Sequence, residues 1–258
     1  MAAPKGFRTL TPYPIVSDVP AMASFMTNVF NATETFRTVG SAGGYHSELR
    51  IGDCMMMVGG GGADVSWKGD PAPMAFHIYV PDVDAIYRKA LAAKAVSLQA
   101  PATQDWGERT ANVKGPAGNN WYIATFCGEN YFSEGAPTIQ PYLQPKESAP
   151  VIDFIVNAFS AEETGRASGP NGEVLHTTLK LGDAAMELSD ATEKYPPMPG
   201  MFYLYVDDPD AVYRRAIDAG AKSIAEPADQ PYGDRNGAVE DAWGSKWYIA
   251  THLDGETA

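Results

Sequence analysis

The chain has 258 residues, 45% of them hydrophobic, and its 32 acidic against 19 basic side chains give a net charge of −13 and a pI near 4.6. That balance excludes partners recognised through a clustered positive surface, nucleic acid and anionic membrane among them, and no apolar run approaches the roughly 18 residues of a membrane span. The opening MAAPKGFRTL lacks the apolar stretch of a secretory signal, and two cysteines, Cys54 and Cys127, make no disulfide framework; a cytoplasmic chain with reduced thiols is expected.

A short strand around Thr11-Pro12-Tyr13 comes first. The segment SDVPAMASFMTNVFNA then predicts a helix, with Asp18 as its cap, Pro20 in the first turn, and Met22, Phe25, Met26, Val29 and Phe30 on one face. Three strand-like runs follow, YHSELRIG, DCMMMV and MAFHIYV. Between the last two, Gly59 to Gly62 lack the Lys-Ser/Thr of a phosphate loop and read as a flexible flap, with Trp67 just beyond, either closing over a flat ligand or packed on the surface. Asp82 caps a second helix striped by Val83, Ile86, Tyr87, Ala90 and Leu91, and WGERTANVKGPAGNNWYIATF from Trp106 to Phe126 supplies the closing strands. The polar segment 128–137, with glycine and proline, reads as a linker.

Beyond it the chain repeats itself. YGDRNGAVEDAWGSKWYIATH, Tyr232 to His252, shares nine of 21 positions with the earlier block, including the whole WYIAT run, at an offset of 126. The helix DPDAVYRRAIDAGA aligns with DVDAIYRKALAAKA without a gap, Leu181-Gly182-Asp183 answers Ile51-Gly52-Asp53, and a helix from Ser148 answers the first one. The duplication predicts two domains, 8–127 and 138–253, each near the usual size of an independent core. Each copy reads as strand, helix, three strands, and the same again, an α+β pattern.

The HxxLx(I/L)GD strand, the VxDxDAxYRxA helix, the W/YG(D/E)R turn and the closing GxxWYIAT strand resemble the vicinal oxygen chelate superfamily, which includes glyoxalase I, bleomycin-resistance proteins and extradiol dioxygenases. The resemblance implies two tandem domains, each of two βαβββ modules forming a curved mixed β-sheet cleft. It also implies a divalent metal, zinc, nickel, iron or manganese, held by His or Gln, Glu, His and Glu on the first, fourth, fifth and eighth strands. At those positions stand Thr11 and Gln140, Met57 and Glu187, Ala75 and Met201, and Tyr122 and Tyr248. Only Gln140 and Glu187 match the donors. His77, two residues from the fifth-strand position and so on the same side of its strand, is the one further donor for a Gln140, Glu187, His77 site. No metal cofactor is therefore the first expectation.

His46 and His176 recur on the third strand, where the family has no ligand, and read as structural, with ring nitrogens satisfied by backbone; His252 reads as solvated. Arg109 and Arg235 stand beside Glu108 and Asp234 and read as structural ion pairs or turn locks, with anion binding the alternative. What remains for the cleft is aromatic: Tyr13, His77, Tyr79, Tyr122, Tyr142, Tyr203, Tyr205 and Tyr248, with Trp67 above. Tyrosines give apolar area plus an orienting hydroxyl, the make-up of a pocket for a small, aromatic molecule. The expected protein binds such a ligand in the sequestering, resistance-type use of the fold, either as a monomer whose two domains pair or as a homodimer. The alternative is a divalent-metal-dependent lyase, isomerase or dioxygenase.

Overall fold

A computed structural model describes residues 3–40, 42–128 and 136–253. In chain order the first copy comprises β1 (Leu10–Pro12), β2 (Ile15–Val16), α1 (Val19–Phe30), β3 (Thr33–Val39), β4 (Tyr45–Ile51), β5 (Cys54–Gly60), β6 (Ala75–Tyr79), α2 (Val83–Ala92), β7 (Val96–Thr103), β8 (Glu108–Lys114) and β9 (Asn120–Phe126). The second comprises β10 (Ile139–Leu143), α3 (Ala149–Phe159), β11 (Glu162–Ser168), β12 (Val174–Leu181), β13 (Ala184–Leu188), β14 (Met201–Tyr205), α4 (Pro209–Asp218), β15 (Lys222–Asp229), β16 (Asp234–Glu240) and β17 (Lys246–His252). This is the α+β pattern of paired βαβββ modules. Most of the 128–137 linker lies outside the described residues. No described helix is long and apolar enough to cross a membrane.

Caps fix the helix starts. Asp18 accepts the Ala21 N–H, Asp82 that of Ala85 and Asp208 that of Ala211, each at 2.9 Å. Ser148 stands at the start of α3 without capping it. Its hydroxyl caps nothing and is buried without a partner, while its own N–H donates to Asp190 at 2.7 Å.

The chain divides into two compact units whose edges differ from those of the sequence copies. One unit is Tyr13–Tyr142; the other joins the residues up to Pro12 to those from Leu143 onward. In the first, β10 lies antiparallel to β6, followed by β9, β8 and β7, and a second sheet runs β2-β5-β4-β3. In the other, β1 lies antiparallel to β14, followed by β17, β16 and β15, with the β11-β12-β13 meander beside α3. Each unit therefore takes its first strand from the other copy. The two opening strands are so alike in sequence that pattern alone assigns neither to an edge.

The Gly-Asp turns lie at these exchanged strands. Gly52 and Gly182 take φ of 57° and 58°, the left-handed region, and an added Cβ would run into Thr138 and Thr9 respectively. Asp53 then accepts the Thr138 N–H and Asp183 that of Thr9.

Alternation along WYIAT decides what the closing strand does. Trp121 and Ile123 face the helices, where Trp121 meets Phe30 and Phe76 at 4.6 and 4.8 Å between centroids. Trp247 meets Phe159 and Phe202 at 4.6 and 4.5 Å. Both indoles are fully buried, and a side chain of that size contributes about 2 to 3 kcal/mol by removal from water. Tyr122 and Tyr248, one residue on, point to the opposite face of their sheets.

Candidate functional site

Register places the site residues of the Tyr13–Tyr142 unit in rows. Gln140 pairs with His77, His77 with Tyr122, and Tyr122 with Asn112, so all four side chains leave the same face of four adjacent strands. Gln140, His77 and Asn112 are buried and Tyr122 is half-buried. On the neighbouring rows of this face, Tyr142 lies 4.8 Å from the Tyr122 ring, and Tyr79 lies 4.7 Å from that of His77. Glu108 closes one end of the face, accepting from Tyr79 Oη at 2.9 Å and Trp106 Nε1 at 3.0 Å.

The other unit builds the same rows with different chemistry. Thr11, Tyr203, Tyr248 and Ala238 form the corresponding row, with the Tyr203 and Tyr248 rings parallel to within 2°. Asp234 accepts from Tyr203 Oη at 3.0 Å, and Asn236 donates to Tyr203 Oη and Tyr232 Oη at 2.7 Å each. Burial, reinforced by the Asp234 charge, pushes the Tyr203 phenol far above its ordinary range, and burial raises Tyr248 as well. Tyr205 is buried against Tyr203, its ring 5.1 Å away.

Several expectations need correction. His252 is not simply solvated: its Nδ1 lies 2.8 Å from Asp234 Oδ1. His46 and His176 each have a carboxylate partner, Glu48 at 3.4 Å and Glu187 at 3.3 Å. The arginines do make structural ion pairs, but not with the adjacent acids, because successive strand residues point to opposite faces. Arg109 is bidentate to Asp84 at 2.6 and 2.8 Å, and Arg235 to Asp210 at 2.6 and 2.7 Å. These hydrogen bonds hold both carboxyls below the ordinary carboxylate range. Gly59 to Gly62 are not a flexible flap. Gly59 and Gly60 belong to β5 and pair with Ile15 and Val16 of β2, and a Cβ at Gly60, whose φ is 129°, would strike the Val16 carbonyl. Trp67 is half-buried against Gly44, Gly61 and Gly69.

The four family metal positions give a mixed donor set. Ala75, Met201 and Met57 stand in buried strand positions where no oxygen or nitrogen is offered, and Tyr122 and Tyr248 occupy the two eighth-strand positions. Gln140 and His77 are direct cross-strand partners in one unit, whereas Glu187 belongs to the other, beside His176. Among the described residues, no three His, Cys, Asp or Glu side chains are grouped as metal ligands. Within the Tyr13–Tyr142 unit, Gln140 and His77 are the two members of the expected donor set.

Sequence reasoning missed Asn112, Asn236 and the role of Glu108 and Asp234 as acceptors on the tyrosine faces. Recurrence of an acid in the W/YG(D/E)R turn was the available signal.

Paired βαβββ modules with one tyrosine-lined face per unit define a tandem protein of the glyoxalase fold class. The model of the Glyoxalase/Bleomycin resistance protein/Dioxygenase superfamily matches residues 14–123 and 143–249, and the chain belongs to that superfamily. An uncharacterized protein of Mycobacterium bovis is 35% identical over 124 residues, 44% of this chain and 82% of that protein. A Mycobacterium tuberculosis protein named "Putative glyoxylase CFP32" is 30% identical over 188 residues, 69% of each chain. Glyoxalase I from Zea mays superposes with a TM-score of 0.70 at 15% identity over 95% of this chain and 92% of that one, a likeness of fold.

Proposed function

We propose that this protein binds a small planar organic molecule on the tyrosine face of the Tyr13–Tyr142 unit, in the sequestering manner of resistance proteins, and needs no metal to do so. The observation that carries this reading is the half-buried pair Tyr122 and Tyr142, rings 4.8 Å apart and tilted by 36°. They border a row whose other members, Gln140, His77 and Asn112, are buried polar groups. Aromatic area supplies affinity and the polar row supplies orientation, the usual division of labour in a small-molecule pocket. Tyr203, Tyr205 and Tyr248 give the other unit a similar face, with the Asp234 network at one end. Calorimetry against a panel of aromatic antibiotics and metabolites tests the reading. Binding should weaken about tenfold or more on Tyr122→Ala, a loss typical of one aromatic contact; a panel without any binder counts against it.

A second reading is a divalent-metal lyase, isomerase or dioxygenase. It is favoured by the direct pairing of Gln140 with His77, which would be two of the donors, and by the name of the mycobacterial relative. Elemental analysis of chain purified without chelator separates the two. Near one equivalent of zinc, nickel, iron or manganese supports the enzyme, and trace metal removes it.

A further inference from the structure

Both copies of the repeat put a carboxylate beside the same histidine, from opposite strands. In the Tyr13–Tyr142 unit, Glu48 on β4 is the cross-strand partner of Met57 on β5, and its Oε1 lies 3.4 Å from His46 Nε2. In the other unit the equivalent pair is Thr178 and Glu187; the acid now sits on the second strand, with Oε2 3.3 Å from His176 Nε2. The acid has changed strands and the imidazole–carboxylate pair has not been lost.

His46 extends the chain by one more group. Its Nδ1 lies 2.8 Å from Tyr13 Oη, with the two rings edge to face at 5.4 Å and 88°. A carboxylate beside Nε2 favours the tautomer with its proton there, which leaves Nδ1 to accept from the Tyr13 hydroxyl. Room for this is made by Gly59, where a Cβ would meet the Tyr13 ring and hydroxyl at 3.0 and 3.2 Å. The chain stays reachable, with the His46 and Glu48 side chains 23% and 24% exposed. Beside it Phe36, the β3 partner of Glu48, is 49% exposed, its ring 6.3 Å from the imidazole. An exposed aromatic next to a hydrogen-bonded phenol, imidazole and carboxylate offers a flat ligand both a surface and a proton acceptor.

We propose that Tyr13, His46 and Glu48 form a proton relay for a ligand with a weakly acidic hydroxyl, a phenol or an enol, lying against Phe36. The ligand's O–H proton passes to Tyr13 Oη as the Tyr13 proton passes to His46 Nδ1. The ligand O–H bond breaks, an N–H bond forms, the oxyanion is hydrogen-bonded by the Tyr13 hydroxyl, and the imidazolium is balanced by Glu48. The Tyr13 O–H bond is broken and remade with the ligand's proton, no other bond changes, and no co-reactant is consumed. The relay uses neither Tyr122 nor Gln140, so it stands or falls apart from the binding proposed above.

The probe is 4-nitrophenol, whose phenolate absorbs in the visible, titrated with the whole chain below the pH of half-ionisation. Wild type should raise the phenolate-to-phenol ratio of the bound probe about tenfold, equivalent to one pKa unit. Tyr13→Phe and His46→Gln should abolish the rise. Nitrogen-15 NMR of the ligand-free wild type supplies a readout independent of any variant's folding, and should find His46 protonated on Nε2 and bare on Nδ1. The proposal is overturned by absence of nitrophenol binding, by equal ionisation of the probe on wild type and Tyr13→Phe, or by a His46 proton on Nδ1.

Discussion

Asp53 accepts the backbone N–H of Thr138 at 3.0 Å, and the same bond recurs between Asp183 and Thr9 at 2.8 Å. Each bond ties the start of an exchanged strand to a Gly-Asp turn of the unit that receives it. A hydrogen bond at such a solvent-exposed position contributes about 0.5 to 1.5 kcal/mol, the range of an ordinary net hydrogen bond, because water screens the acceptor's charge. Asp53→Ala and Asp183→Ala should each lower stability by about that amount, and the double variant by about the sum, because the bonds are separate. Urea denaturation measures both; no loss in either single variant would show that β6 and β14 hold the exchanged strands unaided.

Asp241 has a larger role. Its carboxylate accepts the N–H groups of Trp243 and Ser245 at 3.0 and 2.9 Å and Trp247 Nε1 at 3.0 Å, all around a buried indole. The first copy has Gly115 at the equivalent place, and Trp121 Nε1 there is buried without a partner. Asp241→Ala strands three donors and should cost about 2 to 4 kcal/mol. Thermal denaturation followed by tryptophan fluorescence reads it, and a loss under about 1 kcal/mol would mean water replaces the carboxylate.

Asp241 and Asp84 should respond to pH in opposite senses. Burial raises the Asp241 carboxyl in the folded chain, so its contribution is greatest at low pH and is lost as pH rises through the raised folded value. Asp84 is held low by its hydrogen bonds from Arg109, so its contribution is present above the ordinary carboxylate range and lost as pH falls through the lowered folded value. The stability difference between wild type and Asp84→Asn should therefore shrink on acidification from pH 6 to pH 3. A difference that is flat over that range would leave the Arg109 pair without energetic consequence.

Tyr203→Phe removes a donor to Asp234 and the acceptor of one Asn236 bond in a buried network. A cost of about 1 to 3 kcal/mol is expected. Tyr79→Phe removes one donor to Glu108, which keeps Trp106, and should cost less. Denaturant midpoints of the two variants check the order; the reverse order would assign the larger role to the Glu108 end.

Much of the fold is legible in the sequence because the code there is local. Asp18, Asp82 and Asp208 announce helix starts through bonds to residues three along, and alternation in WYIAT separates the core-facing tryptophans from the cleft-facing tyrosines. The candidate site is legible only in part. Tyrosines on the inner positions can be listed by alternation, but the partners of Arg109, His252 and Glu187 cannot, since each partner lies on an element at least ten residues away.

By itself the sequence determined the duplication, the βαβββ pattern and the identity of the residues at the family's metal positions. The tertiary structure decided which opening strand completes which unit, which acids the arginines and histidines meet, and that Gly59 and Gly60 are strand rather than flap. The division has one physical cause. Helix caps and strand alternation are fixed by neighbours along the chain, whereas a strand edge, an ion pair or a close backbone approach is fixed by whatever the fold brings alongside.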